Sequence, residues 1–282
     1  MTDGRRGAAV LGSPIAHSLS PVLHRAAYDA LGLTGWTYRA IECREHSLRT
    51  ALAELDAEGL AGVSLTMPLK RAAISLVESA TDAAAEVRAA NTVLFGPAPG
   101  IWHADNTDIP GLVAALRPAL GAVDLTRGAA VLGAGATAAS AVAAIGRCGF
   151  AAVEVFARRA RAAEALVSLG AAHDLSVTVR SWDEVGEARH SALLVSTVPA
   201  GASPALVDAV HQEGATGVLF DVIYSPWPTA LADAWESAGG DVVGGLELLI
   251  EQAAFQVELM TGLAAPVAVM RVAGYAALER TG

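Results

Sequence analysis

Residues 129–148 read AAVLGAGATAASAVAAIGRC, and this run restricts the fold more than any other stretch of the chain. An apolar segment leads into Gly133-Ala134-Gly135, and small residues continue at helical spacing. A strand that turns sharply into a helix needs a glycine at the turn. It needs a second where the backbone must lie open to a ligand, and a small residue where helix closes on strand. Gly133, Gly135 and Ala138 stand at those three places, a GxGxxA variant of the dinucleotide fingerprint. The next strand pattern, AAVEVFA, follows at 151–157, which gives a βαβ unit with a crossover helix. A pyrophosphate is expected on the free amides where the helix begins, near Ala136.

The same alternation fills the rest of the chain. Strands are predicted at AAVLGS near residue 10, WTYRAI (36–41), AGVSLT (61–66), NTVLF (91–95), GAAVLGA (128–134), ALLVST (192–197) and GVLFDV (217–222). Helical patterns lie between most of them, including one over 20–32. This rhythm implies an α/β fold with a mainly parallel sheet covered by helices. FGPAPG (95–100) reads as a hairpin turn. The strand series restarts after about 105–125, which divides the chain into an N-terminal α/β domain (1–106) and a Rossmann-type domain (107–244). The stretch 245–282 reads as helical and has no strand partner of its own, so it is expected to pack back on the N-terminal domain.

Composition excludes several classes of partner. The net charge is −10 with no dense Lys/Arg cluster, which argues against nucleic acid and anionic membranes. No apolar run approaches the roughly 20 residues of a membrane span, and no secretory leader is recognisable at the start. Cys43 and Cys148 form no CxxC pair and read as reduced thiols of a cytoplasmic protein. The seven histidines lack ligand spacing such as HExxH, so no metal is expected.

Two arginines then sharpen the nucleotide reading. An acid at the end of the second strand usually holds a ribose 2′-hydroxyl. Here Ala157 holds that place, followed by Arg158 and Arg159, whose guanidinium groups suit a 2′-phosphate, and so NADP. Glu154 lies inside the strand and is set aside, and Arg161 suits a solvated helix start.

Four further segments are polar where a core would be apolar. GSPIAHSLSP (12–21) brings Ser18 and Ser20 between a strand and a helix, and GVSLTMPLK (62–70) ends a strand in Thr66, Pro68 and Lys70. AANTV (89–93) carries Asn91 and Thr92, and ADNTDIPG (104–111) carries Asn106, Thr107 and Asp108 ahead of a helix. Taken singly, helix capping or a solvated lysine accounts for each. Taken together, in this order and ahead of a dinucleotide fold, they resemble the shikimate dehydrogenase family over nearly the whole chain. DVIYSPWPT (221–229) with Tyr224 and GLELLIEQAAFQVELMTG (245–262) with Gln252 extend the resemblance.

The resemblance implies an NADP-dependent reduction of 3-dehydroshikimate to shikimate in aromatic amino acid (chorismate) biosynthesis, by a monomer or homodimer. Lys70 and Asp108 would be the catalytic pair. Ser18, Ser20 and Tyr224 would hold the carboxylate, and Thr66, Asn91, Asp108 and Gln252 the ring hydroxyls. Gly133, Ala134, Gly135, Ala136, Arg158, Arg159 and Gly245 would meet the cofactor. Two positions depart from the family pattern. Ser64 replaces a frequent Asn before TxPxK, so one ring-hydroxyl contact is expected to be shorter or water-mediated. Ala157 and Arg159 replace the Asn and Thr of the usual NRT element, while Arg158 is kept. Rival readings are a quinate-preferring or NAD-using relative, a ligand sensor that would have lost Lys70 or Asp108, and a folate-linked methylene dehydrogenase.

Overall fold

A computed structural model describes residues 4, 6–121 and 123–280. The chain forms two compact units. One holds the residues up to Gly111 and the segment that begins at Leu249; the other spans Leu112–Leu248.

The first unit is built on β1 (Ala8–Gly12), α1 (Ser20–Ala30), β2 (Tyr38–Glu42), α2 (Leu48–Ala57), β3 (Gly62–Leu65), β4 (Ser79–Ala80), α3 (Asp82–Val87), β5 (Thr92–Phe95), β6 (Trp102–Asp105) and the start of α4 (Asp108–Leu116). Its sheet has the order β2-β1-β3-β5-β6-β4. Strands β1, β2 and β3 are parallel, whereas β5 runs antiparallel to β3 and β6 antiparallel to β5. The sheet is therefore mixed rather than mainly parallel. The cause is the FGPAPG turn, where Gly96 N–H donates to Ile101 O at 2.8 Å and Gly100 takes φ +81°: so short a connection can only join antiparallel strands.

The second unit follows the alternation closely. It contains β7 (Ala129–Leu132), α5 (Ala136–Arg147), β8 (Ala152–Ala157), α6 (Ala160–Ala171), β9 (Ser176–Ser181), β10 (Leu193–Ser196), α7 (Pro204–Glu213), β11 (Val218–Asp221), α8 (Ala230–Ser237) and β12 (Asp241–Gly244). All six strands are parallel in the order β12-β11-β10-β7-β8-β9. The order reverses between β7 and β10, and the crevice at the carboxyl ends of such strands is where open α/β sheets bind ligands. The central strands β7, β10 and β11 are wholly buried, which is why they read as unbroken apolar runs.

The C-terminal stretch is not one continuous helix. It forms α9 (Gly245–Thr261) and α10 (Val267–Glu279), parted where Gly262 adopts φ +73° and Pro266 precedes α10. Helix α10 packs on α1. Helix α9 crosses α4 at Gly111, where a Cβ would meet the Gln252 backbone N and Cβ at 2.9 Å. That glycine lets Gln252 approach the N-terminal part of α4 closely.

Candidate functional site

The topology of the first unit gathers the four polar segments on one edge of its sheet. The Ser18–Ser20 segment follows the end of β1, and Thr66–Lys70 follows the end of β3, a parallel neighbour. Asn91 directly precedes β5, whose Thr92 lies opposite Ser64 near the end of β3. Asp105 lies opposite Thr92 at the end of β6, so the Asn106–Asp108 segment leaves from the same edge.

At that edge Lys70 Nζ donates to Asp108 Oδ2 at 2.5 Å, with side-chain exposures of 16% and 5%. Asp108 is free for this because Asn106 does the capping: the N–H groups of Asp108 and Ile109 both donate to Asn106 Oδ1, at 3.1 and 3.4 Å. The Asn106 amide in turn donates to Ala89 O at 2.8 Å. Asn91 joins the group from the other side. Its Oδ1 accepts from Thr107 N–H at 2.8 Å and from the Thr92 hydroxyl at 3.0 Å. Its Nδ2 faces three acceptors: Thr107 Oγ1 (2.8 Å), Asp108 Oδ1 (2.9 Å) and Gln252 Oε1 (3.0 Å). Two hydrogens serve three acceptors, so the cluster holds spare acceptor capacity beside an ammonium. Such a set suits a ligand rich in hydroxyl donors.

The remaining predicted residues of this unit are arranged as follows. Thr66 directly follows β3, with its methyl packed against Gly12, which has no Cβ to displace it. Ser18 and Ser20 do not cap α1: the N-cap residue is Leu19 and makes no side-chain cap. Ser18 Oγ accepts a long 3.3 Å bond from Ser20 N–H. Both hydroxyls therefore keep hydrogen-bonding capacity, and no Lys or Arg lies within the element.

In the second unit, Gly133 takes φ +104°, and a Cβ there would meet Thr197 Oγ1 at 2.8 Å. Thr197 closes the same turn by donating to Leu132 O at 2.6 Å. Gly135 differs. It is the N-cap of α5, makes no side-chain cap, and a Cβ on it would meet nothing within 4 Å. Protein packing does not require this glycine, so the open space and the uncapped amides beginning at Ala136 are free to receive a phosphate. Ala134 lies between the two glycines. Ala138 is wholly buried, as a tight helix–strand contact needs.

Arg158 and Arg159 are exposed at the end of β8 and the start of α6. Glu154 is occupied elsewhere: its Oε1 accepts from Arg180 Nη1 at 2.5 Å, across to β9. The carboxylate is thus tied within the sheet, and the end of β8 presents two cations and no acid. Tyr224 lies in the loop after β11, in this unit rather than the one that carries Ser18 and Ser20. Gly245 N–H donates to Ile223 O at 3.2 Å, and a Cβ would collide with the Val222 carbonyl. Its glycine identity is therefore explained by packing alone.

Within the second unit, a cavity of about 150 Å³ is lined by Ser196 at the end of β10, Asp221 at the end of β11 and Thr229 among others. Burial raises the Asp221 carboxyl above its usual range, although Thr229 and the Ile223 N–H bond to it. Among the described residues no cluster of three or more His, Cys, Asp or Glu could hold a metal, and no helix is long and apolar enough to cross a membrane. The pattern reading did not single out Tyr38 and Gln256, which prove to be buried neighbours of Ser64. The only hint of Gln256 is its place four residues after Gln252, on the same helix face.

Comparisons with known proteins agree across the chain. Residues 10–93 match the shikimate dehydrogenase substrate binding domain, and residues 245–273 match the shikimate 5′-dehydrogenase C-terminal domain. A shikimate dehydrogenase (NADP(+)) of Methanothrix thermoacetophila is 39% identical over 278 residues, covering 96% of this chain and 97% of that one. The crystal structure of Mycobacterium tuberculosis shikimate dehydrogenase superposes with a TM-score of 0.87 at 41% identity, covering 96% of this chain and 99% of the other. A Thermus thermophilus shikimate 5-dehydrogenase, solved with NADP(H) and shikimate, gives 0.82 at 31% identity, with 96% and 99% covered.

Proposed function

The chain belongs to the shikimate dehydrogenase family, and we propose that Lys70 and Asp108 carry its chemistry. Its activity is the reversible, NADP-dependent reduction of 3-dehydroshikimate to shikimate, an oxidoreductase step acting on a CH–OH group in aromatic amino acid biosynthesis. The observation that carries the proposal is the Lys70–Asp108 ion pair beside the Asn91 amide, whose two hydrogens face three acceptors.

The residues of the second unit fit the cofactor. Gly135 leaves a space no protein atom fills, α5 begins uncapped, and Arg158 and Arg159 stand where an NAD site would place an acid. We assign Gly133 to Ala136 to the pyrophosphate and the two arginines to the 2′-phosphate. Gly245 is retained as a backbone contact. When bound, NADPH supplies the hydride.

The chain's own groups manage the proton and the alignment. In the reducing direction the Lys70 ammonium polarises the ring ketone and gives a proton from Nζ to the developing alkoxide. Asp108 Oδ2 holds that ammonium, and Oδ1 accepts from a neighbouring ring hydroxyl. In the oxidising direction the alcohol proton returns to Nζ. Thr66, Asn91 and Gln252 bind the other hydroxyls. A substrate lacking one would leave a buried polar group unpaired, which is how such a site rejects analogues. Ser18 and Ser20 anchor the carboxylate.

In this reading the first unit is the substrate-binding catalytic domain, completed by the C-terminal helices, and the second is the NADP domain. The net charge of −10 weighs against nucleic acid and anionic membranes as partners, and a monomer or homodimer in the cytoplasm completes the reading. Absorbance at 340 nm, with shikimate or quinate and NADP or NAD in all four pairings, tests the assignment. Shikimate with NADP should give the largest kcat/KM; a preference for quinate with NAD would overturn it.

A further inference from the structure

Behind the Lys70–Asp108 pair lies a second line of buried polar side chains that the reaction does not use directly. It begins at Ser64, the residue standing where the family pattern often has Asn. The expectation from sequence is a shortened or water-mediated contact to a ring hydroxyl. In the structure the Ser64 hydroxyl is engaged inside the protein. It accepts from Tyr38 OH at 2.6 Å and donates to Gln256 Oε1 at 2.7 Å. Gln256 is 1% exposed and lies one turn beyond Gln252 on α9. Its Nε2 donates to Thr92 Oγ1 at 3.0 Å and to the Asn91 backbone carbonyl at 3.1 Å. Thr92 then donates to Asn91 Oδ1 at 3.0 Å.

The direction of every bond in this line is fixed. The Tyr38 phenol is buried, and burial pushes its ionisation far above the ordinary range, so it remains a donor. A hydroxyl that accepts this proton donates its own onward, which requires an oxygen on the Gln256 side. The opposite amide orientation would set Gln256 Oε1 against the Asn91 carbonyl, two acceptors with no proton between them. Tyr38 is itself held firmly. Its ring stacks on His24 at 3.9 Å between centroids and 15° between planes, and its carbonyl accepts from Arg25 Nε and Nη2 at 3.0 and 2.8 Å. His24 is fully buried, which lowers its pKa to about 3 and leaves it a neutral stacking partner.

We propose that Gln256, oriented by Tyr38 and Ser64, is a positioning residue for the reaction. It pins the Asn91–Thr92 peptide so that the Asn91 amide turns its N–H groups toward Asp108 and Gln252. Both of those residues sit at the sheet edge, so an error in Asn91 displaces the acceptors that a polyol substrate must meet. A displacement of about 1 Å in such a group can cost roughly 10²-fold in rate. The inference rests on the assignment of Asn91 and Asp108 to the substrate site.

Steady-state kinetics of Tyr38→Phe, Gln256→Met, their double variant and Asn91→Ala test it. Tyr38→Phe keeps the stacked ring and removes only the hydroxyl. Gln256→Met should raise the shikimate KM about tenfold, the scale of one or two net hydrogen bonds, with the NADP KM unchanged. Tyr38→Phe should shift the shikimate KM in the same sense by about threefold. The double variant should be no worse than Gln256→Met, because Tyr38 acts only through Gln256. If Gln256→Met does not fold, Tyr38→Phe decides alone: a shikimate KM equal to wild type overturns the inference. A multiplicative double variant overturns it too, as do normal kinetics for Gln256→Met beside an impaired Asn91→Ala. Normal kinetics for Asn91→Ala would instead remove the substrate-site assignment on which it rests.

Discussion

The two units keep their polar groups in different places. In the first, the side chains at the sheet edge are buried and already bonded to one another: Asn91, Thr107 and Asp108 are each no more than 3% exposed. In the second, the polar capacity lies in the uncapped backbone amides at the start of α5 and in exposed guanidinium groups at the end of β8. A buried network is arranged before any ligand arrives, and each member lost leaves a partner unsatisfied. Arg158 and Arg159 are exposed and carry no ion pair among the described residues, so losing one removes an attraction to the ligand without disturbing the fold, and salt screens what remains.

Substitutions can break this contrast, and Asp108→Asn should have the largest effect. It removes the anion facing Lys70 and an acceptor for a ring hydroxyl together, so turnover and binding both suffer. A fall in kcat/KM of about 10³-fold is expected, within the range for a positioned acid–base group. If Asp108 served only the start of α4, steady-state rates would stay near wild type.

A smaller effect is expected at the carboxylate anchor. Each hydrogen bond lost to a charged group costs about 1.5–3 kcal/mol. The double variant Ser18→Ala/Ser20→Ala loses two such bonds and should therefore raise the shikimate KM by about 100-fold. Turnover should change less, because the carboxylate is held equally in ground and transition states. An unchanged KM would remove the two serines from the site.

The smallest of these effects belongs to the exposed side of the comparison. Arg158→Ala should raise the NADP KM about fivefold to tenfold, leave NAD use unaltered and leave the melting temperature where it was. The difference from wild type should shrink as ionic strength rises toward 1 M, where the Debye length is about 3 Å. Wild-type protein that used NAD as readily as NADP would contradict the role given to this arginine.

What the sequence disclosed follows the same division. The buried parallel strands β7, β10 and β11 are legible because a strand covered on both faces must be apolar throughout. Strands that are only partly covered carry a weaker signal. Edge strands SVTVRS at β9 and DVVG at β12 are partly exposed, the two-residue edge strand β4 is wholly so, and the internal strand β6 alternates as WHAD; none of these stands out from a loop, whereas the edge strand β2 does, through its WTYRAI run. Lys70, Asn91 and Asp108 are visible because ordered polar motifs interrupt apolar runs. That Asn106 rather than Asp108 caps α4 is a matter of side-chain direction, which spacing does not encode. Gln256 is hidden for a related reason. It sits in a helix rich in Gln and Glu, and only the fold reveals that it faces Ser64, 192 positions earlier in the chain.

The claim that the buried ion pair performs the chemistry is tested most directly on Lys70→Ala, by measuring its turnover at 340 nm beside an equilibrium titration with shikimate. The ammonium meets the reacting oxygen most strongly once that oxygen becomes an alkoxide, so its loss should fall on turnover. The account predicts a kcat lowered by about 10²–10⁴-fold with shikimate still bound. A Lys70→Ala protein that retained most of its turnover would contradict it.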